Sequence, residues 1–228
     1  ALPIAPMFHA NAWMMPFSAA MNGHKLVMSG RSFDAPSLTR LIVEEGVTIA
    51  GGVPTVLADI FRELDRNGGA APSLTTLLVA GTRIPAALFD AIEKRGLSVR
   101  QTWGMTEAPG ATRPTLAPGS DRLPPDEQRA LRLGRQGRVS FQADMRIVDP
   151  AGAPLPHDGV CAGILQVRGP LIAARYLGEP EGKAAEWLDT GDIARIHPDS
   201  ALEIVDRAKD VIKSGGEWIS SIELASAA

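Results

Sequence analysis

From residue 37 to residue 101 the sequence alternates between amphipathic helical stretches and short aliphatic runs, which restricts the available folds more than any other feature. Leu38, Leu41, Ile42 and Glu45 recur at helical spacing behind Ser37, a residue type that caps helix N-termini. Residues 47–50 (Val-Thr-Ile-Ala) make a short β-branched strand. Pro54 opens a second helix with Val56, Leu57, Ile60, Phe61 and Leu64 on one face, closed by Asn67-Gly68-Gly69. A strand over 77–80, a helix from Pro85 carrying Leu88, Phe89 and Ile92, and a strand over 99–101 complete the series. Strands separated by helices of this length join as βαβ units, so a mainly parallel sheet is expected.

After residue 101 the pattern changes. A loop rich in Pro and Gly runs over 108–125, followed by a short charged helix. From Gly137 short strands are expected over 145–148, 164–167, 193–196 and 202–205, with turn chemistry at Asp149-Pro150-Ala151-Gly152 and His197-Pro198-Asp199-Ser200. The fold class is therefore α/β: a parallel-sheet subdomain over 1–133, then a small antiparallel, barrel-like β subdomain over 134–205. The apolar residues 1–6 read as a buried strand running into a loop, and a helix begins within 219–228. Termini ordinarily lie free at the surface, so a chain continuing past both ends is expected.

Composition excludes several classes. The 228 residues are 45% hydrophobic and 21% charged, ordinary for a chain that buries a core. Net charge is −3 with dispersed basic residues, which gives no nucleic-acid footprint. No apolar run reaches the ~20 residues of a transmembrane helix, and no signal peptide is legible. The single cysteine, Cys161, has no internal partner for a disulfide, which fits a reducing, cytoplasmic setting, with room for a peripheral place at a membrane.

Four segments carry chemistry. Pro6-Met7-Phe8-His9-Ala10-Asn11-Ala12-Trp13 is an aromatic strand-to-loop segment that would, alone, more often be core than site. Gln101-Thr102-Trp103-Gly104-Met105-Thr106-Glu107 follows a strand of the parallel sheet, beyond whose carboxyl ends such folds bind ligands. There Gly104 allows close backbone approach, Thr106 offers a hydroxyl and Glu107 a hard oxygen ligand for Mg²⁺; a strand-end turn with a solvated Glu explains the same residues about equally well. Trp187-Leu188-Asp189-Thr190-Gly191-Asp192 suits a hairpin, and also a turn carboxylate that holds ribose hydroxyls. Asp206-Arg207-Ala208-Lys209-Asp210-Val211-Ile212-Lys213-Ser214-Gly215-Gly216-Glu217-Trp218 begins like a charged surface strand, but the Trp after Gly-Gly-Glu is not explained that way.

In their order and intervals these segments resemble the adenylate-forming (AMP-binding) superfamily, and nearly the whole chain is covered. The opening PMFHANAW and the late KSGGEWIS look most like medium- and long-chain fatty acid–CoA ligases. The resemblance implies ATP, Mg²⁺ and coenzyme A as co-substrates and cofactor, a small-molecule carboxylate as partner, and an organisation compatible with a homo-oligomer. It implies a nucleotide site from Gly81, Thr82, Gln101, Thr102, Trp103, Gly104, Met105, Thr106, Asp192, Arg207 and Trp218. Trp103 would lie beside the adenine, Thr106 would bond phosphate, and Asp192 would bind the ribose hydroxyls with Arg207 in support. Thr106, Glu107 and Lys213 would be catalytic, Glu107 being the metal ligand. His9, Trp13, Val53, Pro54 and Gly104 would line the acyl pocket. Lys209 would be the hinge of a C-terminal lid beginning over 206–228, with Ser214, Gly215, Gly216 and Glu217 facing coenzyme A.

The implied reaction joins a carboxylate to ATP as an acyl-adenylate and then transfers the acyl group to the coenzyme A thiol. Departures from the pattern matter as much. The family's Ser/Thr/Gly-rich phosphate loop ending in Pro-Lys-Gly is absent, as is the late lid lysine, and no Walker-type motif occurs. Alone, this segment is expected to bind nucleotide poorly and adenylate little. Ala80-Gly81-Thr82-Arg83 replaces a Gly-Gly-small pattern, the loop before Trp187 is short, and Ser200-Ala201 replaces a Gly-aromatic pair. Two other readings stay open: adenylation with a carrier-protein or amine acceptor, and a silent nucleotide-binding module.

Overall fold

Short strands in the first hundred residues line up side by side in chain order, all parallel. The computed structural model describes residues 1–178 and 186–210, and the strand backbone of 212–214 and 217–219. The chain divides into two compact units, Ala1–Thr102 and Trp103–Ala228. In the first, β1 (Leu2–Ile4) is followed by α1 (Ala10–Asn22) and α2 (Ala35–Glu44), then β2 (Ile49–Gly52), α3 (Pro54–Arg66), β3 (Thr76–Val79), α4 (Ala86–Glu93) and β4 (Ser98–Gln101). The sheet order is β1-β2-β3-β4, with Leu2 opposite Ala50, Ala50 opposite Leu77, and Leu77 opposite Val99. This is the parallel βα sheet that the alternating pattern predicts. The sheet's Leu2, Ile4 and Leu77 and the helices' Leu38, Ile42, Leu57, Ile60, Phe89 and Ile92 are almost wholly buried.

Two local readings change. The cap of α2 is Asp34, not Ser37: the Asp34 carboxylate accepts from the Ser37 backbone N–H at 2.9 Å, and Pro36 sits in the first turn, where its missing N–H costs nothing. Residues 10–13, read as part of a strand-to-loop segment, instead open α1. Its period is masked because Phe17 and Met21 leave apolar residues on the exposed side, while only Ala12, Met15 and Ala19 are buried. The fit of α1 is visible in β2. A Cβ on Gly51 would stand 3.2 Å from Met15 Sδ, and one on Gly52 would stand 3.2 Å from Ile4 Cβ. Two successive glycines thus let a helix and a neighbouring strand come close.

The second unit is antiparallel. β5 (Thr112–Arg113) pairs with β6 (Arg138–Val139), with a 3₁₀ turn over Ser120–Arg122 and α5 (Pro125–Gly134) between them. β7 (Asp144–Val148), β8 (Gly163–Arg168), β9 (Leu188–Ile196) and β10 (Leu202–Arg207) form a sheet in the order β10-β9-β8-β7. A hairpin of β11 (Ile212–Ser214) and β12 (Glu217–Ile219) follows. Burial alternates residue by residue along β8, the mark of a sheet with one face against a core. That core gathers Ile147, Leu165, Val167, Ile196 and Leu202 with Trp103, Ala108 and Ala111. On the opposite side the guanidinium groups of Arg146 and Arg168 stand 4.3 and 4.5 Å from the Trp187 ring centroid, fixing the residue that leads into β9.

Candidate functional site

Because the four strands of the first unit are parallel, all their carboxyl ends lie along one edge. His9, the N-cap of α1, and Trp13 follow β1; Val53 and Pro54, the N-cap and first residue of α3, follow β2. Gly81 and Thr82 follow β3, and Gln101 ends β4 with Thr102 next. This is the edge on which open α/β sheets bind ligands. Gly81 has φ +96°, a conformation that side chains rarely adopt, and a Cβ there would meet Val53 Cγ1 at 3.2 Å. The loop after β3 is therefore seated against the end of β2. Gln101 is buried and its Oε1 accepts from the Ile84 N–H at 3.2 Å, which ties the same loop to the end of β4. Trp13 remains 38% exposed and packs edge-on against Phe17 at 6.1 Å between centroids.

In the second unit a buried polar network centres on Asp192. β9 and β10 run antiparallel with Asp192 opposite Arg207, so the Arg207 guanidinium reaches across the ladder, Nη1 lying 3.0 Å from Asp192 Oδ1. The other oxygen, Oδ2, accepts from the Trp103 indole Nε1–H at 2.9 Å. Asp192 is 4% exposed and Trp103 9% exposed. Burial pushes the Asp192 carboxyl above the ordinary carboxylate range, while the Trp103 donor and the Arg207 charge pull it back. Residues 187–192, which as sequence suit a hairpin turn, instead run into strand β9, whose pairing with β8 shifts register here. The carboxylate is held from below: Thr190 Oγ1 donates to Leu165 O at 2.8 Å and accepts from Asp192 N–H at 3.2 Å, and Asp189 Oδ1 accepts from Gly191 N–H.

Trp103 is pinned as firmly through its backbone. Its N–H donates to Thr112 Oγ1 at 2.7 Å, its carbonyl accepts from the Thr112 N–H at 3.1 Å, and the Thr112 hydroxyl donates to Gln136 O at 2.6 Å. Residues 104–108 then turn back sharply, Met105 and Ala108 exchanging backbone hydrogen bonds at 3.2 and 3.1 Å with Thr106 and Glu107 at the tip. A Cβ on Gly104 would come within 3.0 Å of both Ala108 O and Gly110 N, so the tightness of the turn itself requires glycine. Thr106 is exposed and Met105 half-buried. The Glu107 carboxylate accepts from the Tyr176 hydroxyl at 2.9 Å, and its carbonyl accepts from Ala173 N–H at 2.7 Å.

The predicted residues thus fall into two sets. His9, Trp13, Val53, Pro54, Gly81, Thr82, Gln101 and Thr102 share one edge of the parallel sheet. Trp103, Asp192 and Arg207 are in direct contact within the second unit, with Gly104, Met105, Thr106 and Glu107 on the adjoining turn. Lys209 lies in the turn after β10, where Asp210 N–H donates to Arg207 O. Lys213 and Ser214 fall in β11, opposite Trp218 and Glu217 of β12, and Gly215 and Gly216 lie outside the described residues. Sequence reasoning missed Thr112, Gln136 and Tyr176, which hold Trp103 and Glu107. No local signal marks them, since each acts through a contact made only in the folded chain.

The donor set fits a ribonucleotide and a hard cation. A buried, oriented carboxylate beside a large aromatic suits a ribose and a base. Glu107 offers hard oxygens of the kind Mg²⁺ takes, one or two carboxylates at a time, with phosphates and water completing its shell.

A family model described as AMP-binding enzyme matches residues 1–177. The medium-chain-fatty-acid–CoA ligase of Ectopseudomonas oleovorans is 43% identical over 231 residues, covering 100% of this chain and 42% of that protein. The 3-methylmercaptopropionyl-CoA ligase of Ruegeria lacuscaerulensis is 40% identical, covering 98% of this chain and 42% of its own. Among solved structures, O-succinylbenzoate coenzyme A synthetase from Bacillus subtilis in complex with AMP matches with a TM-score of 0.75 at 26% identity, over 99% of this chain and 44% of that one. The chain spans about two-fifths of the length of the curated relatives it matches. On the fold, the motif series and the match over residues 1–177, the chain belongs to the AMP-binding enzyme family.

Proposed function

We propose that this chain is the central part of an ATP-dependent fatty acyl-CoA ligase, which converts a carboxylate and ATP to an acyl-adenylate and pyrophosphate, and then the acyl-adenylate and coenzyme A to acyl-CoA and AMP. The observation that carries the reading is the contact of Trp103 and Arg207 with the buried Asp192. It joins three of the four segments, Trp103 and Asp192 lying 89 residues apart in sequence, and the segments of these two have ordinary structural explanations when taken alone. The relatives named above support the ligase chemistry.

In this reading Trp103 borders the adenine and Asp192 accepts hydrogen bonds from the ribose hydroxyls, with Arg207 balancing its charge. Gly81, Thr82, Gln101, Thr102, Gly104 and Met105 contribute to the nucleotide site, and the Thr106 hydroxyl donates to phosphate. Glu107 would hold Mg²⁺, whose charge offsets that of the phosphates. A carboxylate is already ionised near neutral pH, so its attack on the α-phosphate requires no general base. The work left to the protein is positioning and charge stabilisation. His9, Trp13, Val53 and Pro54 form the acyl side, where burial of an aliphatic tail gains about 0.8 kcal/mol per CH₂. Residues 206–228 carry the hinge, at Lys209, and the start of a lid with Lys213 and Trp218, Ser214 to Glu217 facing coenzyme A. Rotation of such a lid would exchange adenylation for thiol transfer.

The test is AMP release by the full-length protein with Mg·ATP and coenzyme A over a panel of carboxylates. The panel runs from short thioether acids to long-chain fatty acids, with Glu107→Ala as control. Release on medium or long chains, lost by about 10²-fold or more in the variant, is the expected result. Best turnover on a short thioether acid would redefine the substrate. Pyrophosphate exchange without use of coenzyme A would assign another acceptor, and silence on every acid would leave a nucleotide-binding module.

A further inference from the structure

The two side-chain partners of Asp192 differ in kind: Trp103 donates a hydrogen bond and Arg207 makes an ion pair. The side chain of Arg207 is 53% exposed and sits on a long stem, so its hold on Oδ1 is adjustable. Trp103 has two side-chain torsions, is 9% exposed, and is fixed at its backbone by Thr112, which is itself bonded to Gln136 O. The indole N–H on Oδ2 is therefore the rigid contact, and it sets the plane of the carboxylate. A carboxylate has about four lone-pair positions. The indole N–H takes one of them on Oδ2 and Arg207 is ion-paired with Oδ1, so both oxygens keep capacity to accept. Two acceptors so arranged match two neighbouring hydroxyls. Stacking on a base needs only an aromatic face, which phenylalanine would also supply; fixing the carboxylate needs the indole N–H.

We propose that Trp103 is a positioning residue whose indole N–H locks the Asp192 carboxylate in the orientation that recognises the vicinal diol of a ribonucleotide. This deepens the assignment of Asp192 to the ribose and rests on it. The role is distinct from contact with adenine, because it is lost when the N–H is lost and the ring is kept.

Affinities of the full-length protein for AMP and for 2′,3′-dideoxy-AMP, measured by calorimetry, separate the two roles. The variants are Trp103→Phe and Trp103 replaced by 3-benzothienylalanine, which keeps the ring shape and puts sulfur where the N–H was. The wild type is expected to prefer AMP by about tenfold or more, as hydrogen bonds to a charged group allow. Both replacements should shrink that preference to about threefold or less. The benzothienyl protein should lose affinity for AMP by a larger factor than for the dideoxy nucleotide. In ¹⁵N-indole spectra the Trp103 resonance should shift on Asp192→Asn. A full wild-type preference retained in the benzothienyl protein overturns the proposal while nucleotide binding stands, and this variant decides should Trp103→Phe not fold. Equal binding of both nucleotides by the wild type also overturns it. A wild type that binds neither nucleotide removes the functional reading together with this inference.

Discussion

Asp192 carries a stability cost that its proposed role explains. A carboxylate 4% exposed loses most of its hydration, and one hydrogen bond from Trp103 with the ion pair to Arg207 does not restore all of it, so its pKa lies above the ordinary value in the folded chain. For an acid with a raised folded pKa, the folded state binds the proton more tightly than the unfolded state. Its stabilising effect is present below the unfolded pKa and is lost as pH rises through the folded one. Near neutral pH the ionised Asp192 therefore destabilises the fold. Asp192→Asn should raise the melting temperature at pH 7 by a few degrees, with the gain shrinking as pH falls below the ordinary carboxylate range. The same variant should bind AMP at least about tenfold more weakly. A melting temperature that falls at pH 7 would mean that the charge pairing with Arg207 outweighs desolvation. Polar groups buried at such cost are retained where a ligand uses them.

The hairpin between β9 and β10 gives a second test, where sequence and structure can be compared at a single turn. His197-Pro198-Asp199-Ser200 closes with Ser200 N–H donating to His197 O at 2.8 Å, and Ser200 has φ +63°, the only positive φ outside glycine among the described residues. L-residues pay about 1–2 kcal/mol there. Ser200→Gly should stabilise the chain by about 0.5 kcal/mol, the relief being partly offset by glycine's unfolded-state entropy, and chemical denaturation would register it. The turn itself was legible, since Pro, Asp and Ser each favour it for a separate local reason. So were β2, β3 and β4, short segments set off by helical stretches and bounded by Gly, Pro or polar residues. The start of α1 was not: its buried side is only Ala12, Met15 and Ala19, and its exposed side is apolar too, so no amphipathic period stands out. The site divides in the same way. Trp103, Glu107, Asp192 and Arg207 belong to motifs of recognisable spacing. Thr112 and Tyr176 matter only because the chain returns to them, 9 and 69 residues away from the groups they hold.

Each compact unit has its own buried centre: Leu38, Leu57, Leu77 and Phe89 in Ala1–Thr102, and Ile147, Leu165, Val167 and Leu202 in Trp103–Ala228. The first is built from contacts between sheet and crossover helices, the second from antiparallel neighbours. A chain with two cores can open one without the other, and hydrogen exchange reports such openings separately. Ile147, next to the end of β7, is fully buried in the second core, so Ile147→Ala removes apolar volume from that core alone. The expected cost is about 2–5 kcal/mol. Amides of β8 and β9, the central strands of that sheet, should lose protection by that amount, while those of β2 and β3 keep theirs. Equal loss in both sets would show a single cooperative unit. The distinction bears on function because Trp103, Asp192 and Arg207, on which the proposed ribose contact rests, all lie in the second unit. If the second unit opens alone, weakening its core should reduce nucleotide affinity through the Trp103–Asp192 network, at temperatures where the parallel sheet remains intact.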